Sequence, residues 1–295
     1  MNLYSNNPFV ERAQPWLGTL VSIRAEGLRE PEAHRVIDLA FAEIAAVHRL
    51  MSFHDSGSDV SRLNRDAARY PVEVHPWTWS VLKQGQQFSK VSAGCFDVTV
   101  AAELVAWGLL LPPGEMYAKQ RGSWSDIELL PGNRVWFRRP LWIDLGGIAK
   151  GFAVDRATEC LTGFGPSRTV VNAGGDLRVQ GGEAEIILLG ATSSTYGAPV
   201  LELADGSAAG SCAAPAQRRH RGPFSGPHVD GTRRRPTPAG RFACVVAENC
   251  MTADALTKVA MAQGVQSLNV LDQYGASAWI KNPDEDWQHI GAAIG

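Results

Sequence analysis

The sequence lacks the features of a membrane-spanning protein and those of a disulfide-stabilised protein. No apolar run approaches the roughly 18 residues that a membrane-spanning helix needs. The five cysteines stand at irregular spacings without a CxxC pair, which argues against a disulfide framework and against a zinc site. The first residues, "MNLYSNNPFVERAQPW", contain no basic stretch followed by an apolar one. They therefore predict no secretory signal and favour a cytoplasmic location.

An excess of charge of one sign is also missing. The formal net charge is -2, which gives no general attraction to nucleic acid or to a membrane surface. The basic stretch at 217–241 lacks the series of interleaved aromatic residues that stack on bases, so we expect no nucleic-acid partner. Its arginines and histidines could instead bind a pyrophosphate or an acidic surface of a partner protein, or form a solvated loop.

What is present is the composition of a soluble globular protein. The 295 residues are 45% hydrophobic and 20% charged, enough for one large domain or two small ones. Apolar residues at helical spacing alternate irregularly with short apolar strands, which predicts an α+β fold of layered mixed sheets flanked by helices. The predicted helices cover 31–51, 78–91, a short segment within 96–108, 148–162 and 252–263.

The strands are predicted from alternating or continuous apolar runs bounded by glycine and proline. The first strand begins at about Trp16, and a polar loop is expected at 53–65. Two short strands are expected in the Pro/Gly-rich segment 112–140, and a hairpin at 200–211. Further strands are predicted at 169–181, 184–191, 241–248, 267–272 and 276–281.

The most informative segment is "WIDLGGIAKGFAVDRA", in which a strand ends at Asp144 and a helix begins after two glycines. Glycines at such a junction leave free backbone N–H groups at the helix start, which suits an anion such as phosphate. Lys150 lies in the first helical turn, where the helix dipole disfavours a cation unless it faces an anionic ligand. The alternative is a tight turn followed by a surface lysine.

Three other segments have both a structural and a functional interpretation. In "VVNAGGDL", Asn172, Gly174 and Gly175 follow a strand and are explained equally by a turn between two strands. In "GCFDVTV", Asp97 is either part of a site or a helix N-cap. Asp254 in "TADALTKVAM" is either a favourable charge in the first helical turn or a ligand for Mg²⁺.

Taken in order along the chain, seven segments resemble the FAD:protein FMN transferases, also called ApbE-like proteins. The resemblance runs from about Trp16 to the end of the chain. It is most specific in the blocks "GCFDVTVAAELVAWG" and "IDLGGIAKGFAVD". It implies an ApbE-like (T-fold-related) architecture and a single domain covering 1–295. The seven blocks, in chain order, are "WLGTLVSI", "MSFHDSGSDVSRLN", "GCFDVTVAAELVAWG", "IDLGGIAKGFAVD", "VVNAGGDL", "HVDGTRRRP" and "TADALTKVAM".

The resemblance also implies an activity, a cofactor set and a set of site residues. Members bind FAD with Mg²⁺ and transfer FMN to a threonine or serine hydroxyl of a target flavoprotein, releasing AMP. By motif position, the catalytic residues are His228 (the general base), Asp254 and Lys150, and the metal ligands are Gly147, Asp254 and Thr257. The residues implied to bind FAD are Leu17, Phe53, His54, Gly94, Cys95, Phe96, Asp144, Lys150, Asn172, Gly174, Gly175 and Val229.

The chain departs from the family pattern at three places: at Lys258, in the block "HVDGTRRRP", and in the loop before that block, where "GSCAAPAQRRH" stands in place of the usual Ser-Gly-x-Tyr-Arg stretch. Lys258 stands where the family has a threonine, so either Thr257 takes that role or the Lys258 ammonium replaces part of the metal's charge. The block "HVDGTRRRP" is one residue short between His228 and Asp230 and lacks the usual P-x-T-G. A non-catalytic FAD-binding homologue and an FAD pyrophosphatase giving FMN and AMP therefore remain alternatives. Gly190–Thr192 resembles the core of a flavin acceptor motif, but the residues before it do not match.

Overall fold

The structure is a computed structural model that describes residues 9–112, 122–190, 197–213 and 226–292. These segments contain seven α-helices, and the long ones match the predicted helices to within two residues at each end. None of the described helices is both long enough and apolar enough to span a membrane. The helices are α1 (Glu30–Met51), α2 (Asp59–Asp66), α3 (Pro76–Val91), α4 (Ala101–Ala106), α5 (Ala149–Thr162), α6 (Cys250–Gln263) and α7 (Leu268–Asp272).

Fifteen strands lie in the described segments, and neighbouring strands within each sheet run antiparallel. They are β1 (Phe9–Trp16), β2 (Thr19–Glu26), β3 (Val72–Glu73), β4 (Ile127–Leu130), β5 (Arg134–Phe137), β6 (Arg168–Ala173), β7 (Asp176–Gln180), β8 (Glu185–Leu188), β9 (Val200–Leu203), β10 (Gly206–Cys212), β11 (Val229–Asp230), β12 (Arg235–Pro236), β13 (Phe242–Ala247), β14 (Ser277–Lys281) and β15 (Gln288–Gly291).

The main sheet has eight strands in the order β1-β2-β6-β7-β10-β13-β14-β15. Side chains alternate between its two faces, so that Val171 and Val245 join the main core while Val170 and Val246 join a smaller cluster on the other face. Helices α5 and α6 pack against each other and against the central strands, and α1 packs on α5. The predicted α+β class, with sheets layered against helices, is confirmed.

Four local predictions were wrong. The first strand begins at Phe9, and Leu17 and Gly18 form the turn of a β1–β2 hairpin. The supposed polar loop contains α2, whose N-cap Ser58 accepts a hydrogen bond from the Ser61 N–H. The segment 200–211 is not a hairpin, because β9 pairs with β8 whereas β10 pairs with β7 and β13. The segment 267–272 is helical, as α7.

Candidate active site

The site forms where the N-terminal turns of α5 and α6 meet. Gly151 makes this contact possible, because a Cβ at that position would lie 2.2 Å from the Cys250 carbonyl oxygen. The Gly151 N–H then donates to Asp254 Oδ2 at 3.1 Å, which links the start of α5 to the side chain of α6. The residue after Lys150 is therefore a glycine because two helix backbones touch there.

Asp155 fixes the same helix pair from one turn further along α5. Its carboxylate accepts the Cys250 N–H at 2.9 Å and the Met251 N–H at 2.8 Å, so it satisfies two free donors at the start of α6. It also pairs with the Arg178 guanidinium of β7 at 2.7 Å. One buried carboxylate thus connects α5, α6 and β7, the three elements that carry the charged groups of the site.

Four charged side chains alternate in sign at this junction. Lys150 pairs with Asp176 of β7, and Lys258 pairs with Asp254 at 2.7 Å along α6. Burial would lower the pKa of Lys150, but the carboxylates of Asp254 and Asp176 outweigh it and raise that pKa. Burial, together with the nearby charge of Asp254, raises the pKa of Asp176 to about 6. Two ammonium groups and two carboxylates therefore share one buried region, and we call them the charge quartet.

Asp254 is the implied metal ligand, but its two oxygens already have partners. Burial would raise its pKa, but Lys258 and Lys150 outweigh that effect and lower it, which keeps the carboxylate charged. Oδ1 accepts from the Lys258 ammonium at 2.7 Å, and Oδ2 accepts from the Gly151 N–H. The implied hydroxyl ligand, Thr257 Oγ1, lies 2.8 Å from Lys258 Nζ and donates to the Asp254 carbonyl oxygen at 2.7 Å.

Gly147, the third implied metal ligand, also faces the lysine. A Cβ built on Gly147 would lie 3.3 Å from Lys258 Cε, so the lysine stem packs against that backbone. Across the described segments, no group of three or more His, Cys, Asp or Glu side chains is placed to hold a metal ion. Asp254 and Thr257 do not fit a Mg²⁺ ion in this arrangement, since the Lys258 ammonium occupies the position between their side-chain oxygens where the ion would bind.

A cavity of about 360 Å³ opens beside the charge quartet. The loop before α5 contributes Asp144, whose backbone N–H donates to the Val98 carbonyl at 2.8 Å. Burial raises the pKa of Asp144, while a hydrogen bond from the Gly146 N–H and the nearby His54 act in the opposite direction. Six other predicted site residues line this cavity, together with Lys258 and the segment Gly210–Cys212: Cys95, Phe96, Gly147, Lys150, His228 and Val229.

His228 faces the cavity from the turn before β11. Burial and the ammonium groups of Lys258 and Lys150 lower the pKa of His228 to about 3, so its imidazole is neutral at pH 7. A neutral imidazole can accept a proton, which is what a general base requires. The two lysines act in two ways here: they supply positive potential to the cavity, and they keep the imidazole uncharged.

Arg234 anchors the loop that carries His228. Its guanidinium donates to Asp97 Oδ2 at 2.8 Å, to Thr99 Oγ1 at 3.0 Å and to the Gly122 carbonyl at 2.7 Å. It also lies 3.4 Å from the Glu103 carboxylate. Asp97 is at the same time the N-cap of the 3₁₀ turn 98–100, through the Thr99 N–H. The altered "HVDGTRRRP" block is therefore bound to Asp97, which lines the cavity together with His228.

Other predicted FAD-binding residues lie elsewhere. Asn172, Gly174 and Gly175 line a second cavity of about 440 Å³, and the described residues that it shares with the first cavity are Gly210–Cys212. Asn172 Oδ1 accepts from the Gly175 N–H at 2.9 Å, as in the structural interpretation of a turn between strands. Neither cavity is lined by the other four predicted residues, Leu17, Phe53, His54 and Gly94. Phe53 belongs to the main core, and Leu17 packs against that core. Gly94 follows α3 with a positive φ of 82°.

Sequence reasoning did not single out Asp176 or Ser211, and it considered Arg234 only as one of the basic residues of the stretch at 217–241. Asp176 stands in the block "VVNAGGDL", directly after the two glycines, so the signal was an acid at the start of the strand after that turn. Ser211 and Lys258 are 47 positions apart in the sequence, and no local pattern connects them. Arg218–Arg221 of the basic stretch and Thr192 lie outside the described residues.

Comparison with known proteins identifies the family. The model of the ApbE family matches residues 17–280. This chain belongs to the ApbE family. The FAD:protein FMN transferase of Rhodobacter capsulatus is 30% identical over 174 residues, which are 56% of this chain and 33% of that protein. The FAD:protein FMN transferase of Haemophilus influenzae is 29% identical over 154 residues, covering 47% of this chain and 44% of that protein.

The ApbE fold is shown by solved structures as well. The ApbE protein of Thermotoga maritima superimposes with a TM-score of 0.83 at 24% identity, over 96% of this chain and 97% of that one. The flavin transferase ApbE of Vibrio cholerae gives a TM-score of 0.80 at 21% identity, over 97% and 98% of the two chains. The aligned regions span about a third to under a half of the two curated relatives named above.

Proposed function

We propose that this chain transfers FMN from FAD to a threonine or serine hydroxyl of a target flavoprotein and releases AMP. Support comes from membership of the ApbE family and from relatives named FAD:protein FMN transferase. The observation that carries the proposal is one cavity lined by a neutral imidazole and by two ammonium groups. The cytoplasmic location, the single domain and the absence of a nucleic-acid partner remain predictions.

The reaction needs groups that bind a diphosphate and a group that accepts a proton. The acceptor hydroxyl oxygen attacks the phosphorus of the FMN half, and the bond from that phosphorus to the AMP phosphate oxygen breaks. AMP leaves with the electron pair of that bond, and His228 takes the hydroxyl proton. Because phosphoryl transfer depends mainly on positioning and charge stabilisation, Lys150 and Lys258 supply the fixed positive charge beside the leaving group.

Substrate binding also makes His228 a stronger base. Its pKa is low partly because two ammonium groups lie nearby. A bound diphosphate offsets those charges and raises the pKa of the imidazole toward its usual value. The proton acceptor is therefore weak in the free protein and strengthens when FAD occupies the cavity.

The resemblance implies Mg²⁺ for this reaction, and such an ion would neutralise charge on the diphosphate. The groups around Asp254 do not fit it, as described above. The proposed mechanism is therefore derived from the side chains of this chain alone.

The test is incubation of the protein with FAD and a candidate acceptor flavoprotein, with a Thr→Ala acceptor as the control. We expect an FMN adduct on the acceptor threonine by mass spectrometry and an equal amount of AMP by chromatography. His228→Gln should slow transfer by about 10²- to 10⁴-fold with FAD binding retained. His34→Gln, an exposed residue of α1, should leave the rate unchanged.

The outcomes separate the alternatives. FMN and AMP formed equally fast without the acceptor would assign the FAD pyrophosphatase activity. FAD binding without any product would assign the non-catalytic homologue. Either result would overturn the proposed transfer.

A further inference from the structure

Lys258 is held as an internal cation and not as a surface lysine. Its ammonium contacts Asp254 Oδ1 at 2.7 Å, Thr257 Oγ1 at 2.8 Å and Ser211 Oγ at 3.0 Å. An ammonium has three donors, and these three oxygens use all of them. Its side chain is only 15% exposed. One carboxylate and two hydroxyls thus form an oxygen cage around a nitrogen.

The oxygens of this cage are the kind that bind a hard cation. Mg²⁺ takes carboxylate, hydroxyl and carbonyl oxygens at about 2.0–2.1 Å and keeps some of its water. Here the same oxygens lie at hydrogen-bond distances from Lys258, and the backbone of Gly147 packs against the lysine stem. An ion at this position would have to displace the ammonium from a buried carboxylate.

The charge balance favours the same conclusion. In the charge quartet, Lys150 and Lys258 carry two positive charges, and Asp176 and Asp254 carry two negative charges when ionised. A dication added beside two ammonium groups would meet repulsion, because each carboxylate is already paired with an ammonium; Asp176 Oδ1, on the Lys150 side, is the quartet's oxygen that lacks a hydrogen-bond partner among the described residues. Both carboxylate oxygens of Asp254 already accept hydrogen bonds, Oδ1 from the Lys258 ammonium and Oδ2 from the Gly151 N–H, so neither is free to bind such a dication.

We propose that the Lys258 ammonium is the resident cation of this site and that its positive charge, held by the three oxygens, stabilises the diphosphate of FAD without a divalent metal ion. The identity of the ligand rests on the function proposed above. The absence of a metal requirement rests on the Lys258 contacts alone. The side chain of Lys258 would supply the positive charge that a bound metal ion would otherwise provide at this position.

The first experiment measures metal binding without FAD. Mn²⁺ titrated into the full chain is followed by the electron paramagnetic resonance signal of the free ion. We expect no stoichiometric uptake by the unaltered protein. Stoichiometric uptake that Asp254→Asn abolishes would overturn the proposal, whatever the enzyme activity proves to be.

The second experiment measures FAD affinity by flavin fluorescence, in EDTA and in excess Mg²⁺. The dissociation constant of the unaltered protein should agree within twofold between the two conditions. A dissociation constant at least tenfold lower in Mg²⁺ would overturn the proposal. If FAD binds in neither condition, the proposed function fails, while the Mn²⁺ titration still decides the question of the resident cation.

The third experiment exchanges the cation for a hydroxyl. Lys258→Thr should weaken FAD binding by at least about tenfold in EDTA, because the fixed positive charge beside the diphosphate is lost. Added Mg²⁺ should then restore binding, since the carboxylate and the hydroxyls become free for an ion. Lys90→Thr, at an exposed position of α3, serves as the matched control and should show neither effect. Lys258→Thr that folds and binds FAD normally in EDTA would overturn the proposal.

Discussion

Replacing Arg234 by methionine tests whether the loop that carries His228 depends on one buried guanidinium. The Arg234 side chain is 10% exposed and pairs with Asp97, which is 3% exposed. Methionine keeps the apolar stem but removes the positive charge and the hydrogen bonds that Arg234 donates to Asp97, Thr99 and the Gly122 carbonyl. Since breaking a buried pair leaves an uncompensated charge, we expect a loss of about 3–5 kcal/mol in the free energy of unfolding.

The neighbouring Arg233 provides a matched control. It is also an arginine and lies in the same loop, but its side chain is 73% exposed. Its Nη1 lies 3.3 Å from Asp230 Oδ2. Exposed pairs contribute at most about 1 kcal/mol, so Arg233→Met should change the free energy of unfolding by less than that. Urea-induced unfolding, followed by tryptophan fluorescence, measures both variants on the same scale.

The Arg234 effect should also depend on pH with a definite sign. Burial raises the pKa of Asp97, and the Arg234 guanidinium acts against that rise. Without the guanidinium, the folded-state pKa of Asp97 rises further above its unfolded value. A carboxyl of that kind destabilises the fold at high pH, and the penalty is relieved as the pH falls through the folded pKa.

The penalty of Arg234→Met should therefore be larger at pH 8 than at pH 5. Adding Asp97→Asn should recover part of the loss, because it removes the buried charge. A difference of under about 1 kcal/mol between Arg234→Met and Arg233→Met at pH 8, or a penalty that does not change with pH, would refute the reasoning.

Two further predictions concern packing and protonation. Gly151→Ala should lower the free energy of unfolding by about 3 kcal/mol or more in urea, because its Cβ would overlap the Cys250 carbonyl. Gly85→Ala in α3, where the new Cβ would lie 3.4 Å from a Val98 methyl, should stay within about 1 kcal/mol; equal effects of the two would contradict this. The pKa of His228 is lowered to about 3, so its neutral form stabilises the fold above pH 6.5, and this contribution is lost as the pH falls. Between pH 6.5 and 4, this residue should lower the free energy of unfolding by up to about 1.4 kcal/mol for each unit by which the pH falls. The slope is smaller where water in the cavity screens the charge. His228→Gln should lack the slope.

The sequence predicted those elements whose local pattern agrees with their packing. Helices α1, α3, α5 and α6 have apolar residues at helical spacing and clear ends, and each was found close to its predicted bounds. Helix α2 was missed because most of its residues are polar, and tertiary contacts hold it. Its buried Asp59 accepts hydrogen bonds from the His75 N–H and the Thr78 hydroxyl, both at 2.8 Å.

The same distinction applies to the site. Asp144, Gly147 and Lys150 lie in one local motif, so their common location was predictable from the segment itself. The contact of Lys258 with Ser211 depends on the pairing of β10 beneath α6, which no spacing along the chain encodes. The pair of Lys150 and Asp176 depends likewise on how β7 passes under α5. Sequence reasoning identified Lys258 as an unusual residue, and only the fold shows which oxygens surround it.

The carboxylate of Asp155 gives this site a rigid frame. By binding the first N–H groups of α6 and the Arg178 guanidinium, it fixes the backbones that carry Lys150, Lys258 and Asp176 before any ligand arrives. Charges on a fixed frame need no reorganisation when an anion binds, which is the main advantage of a preorganised electrostatic site. A frame of this kind also tolerates a change of chemistry at one position, since lysine or threonine at 258 alters the local charge without moving a helix. Exchange of one side chain on this frame would change the charge presented to a bound anion while the helix backbones stay fixed.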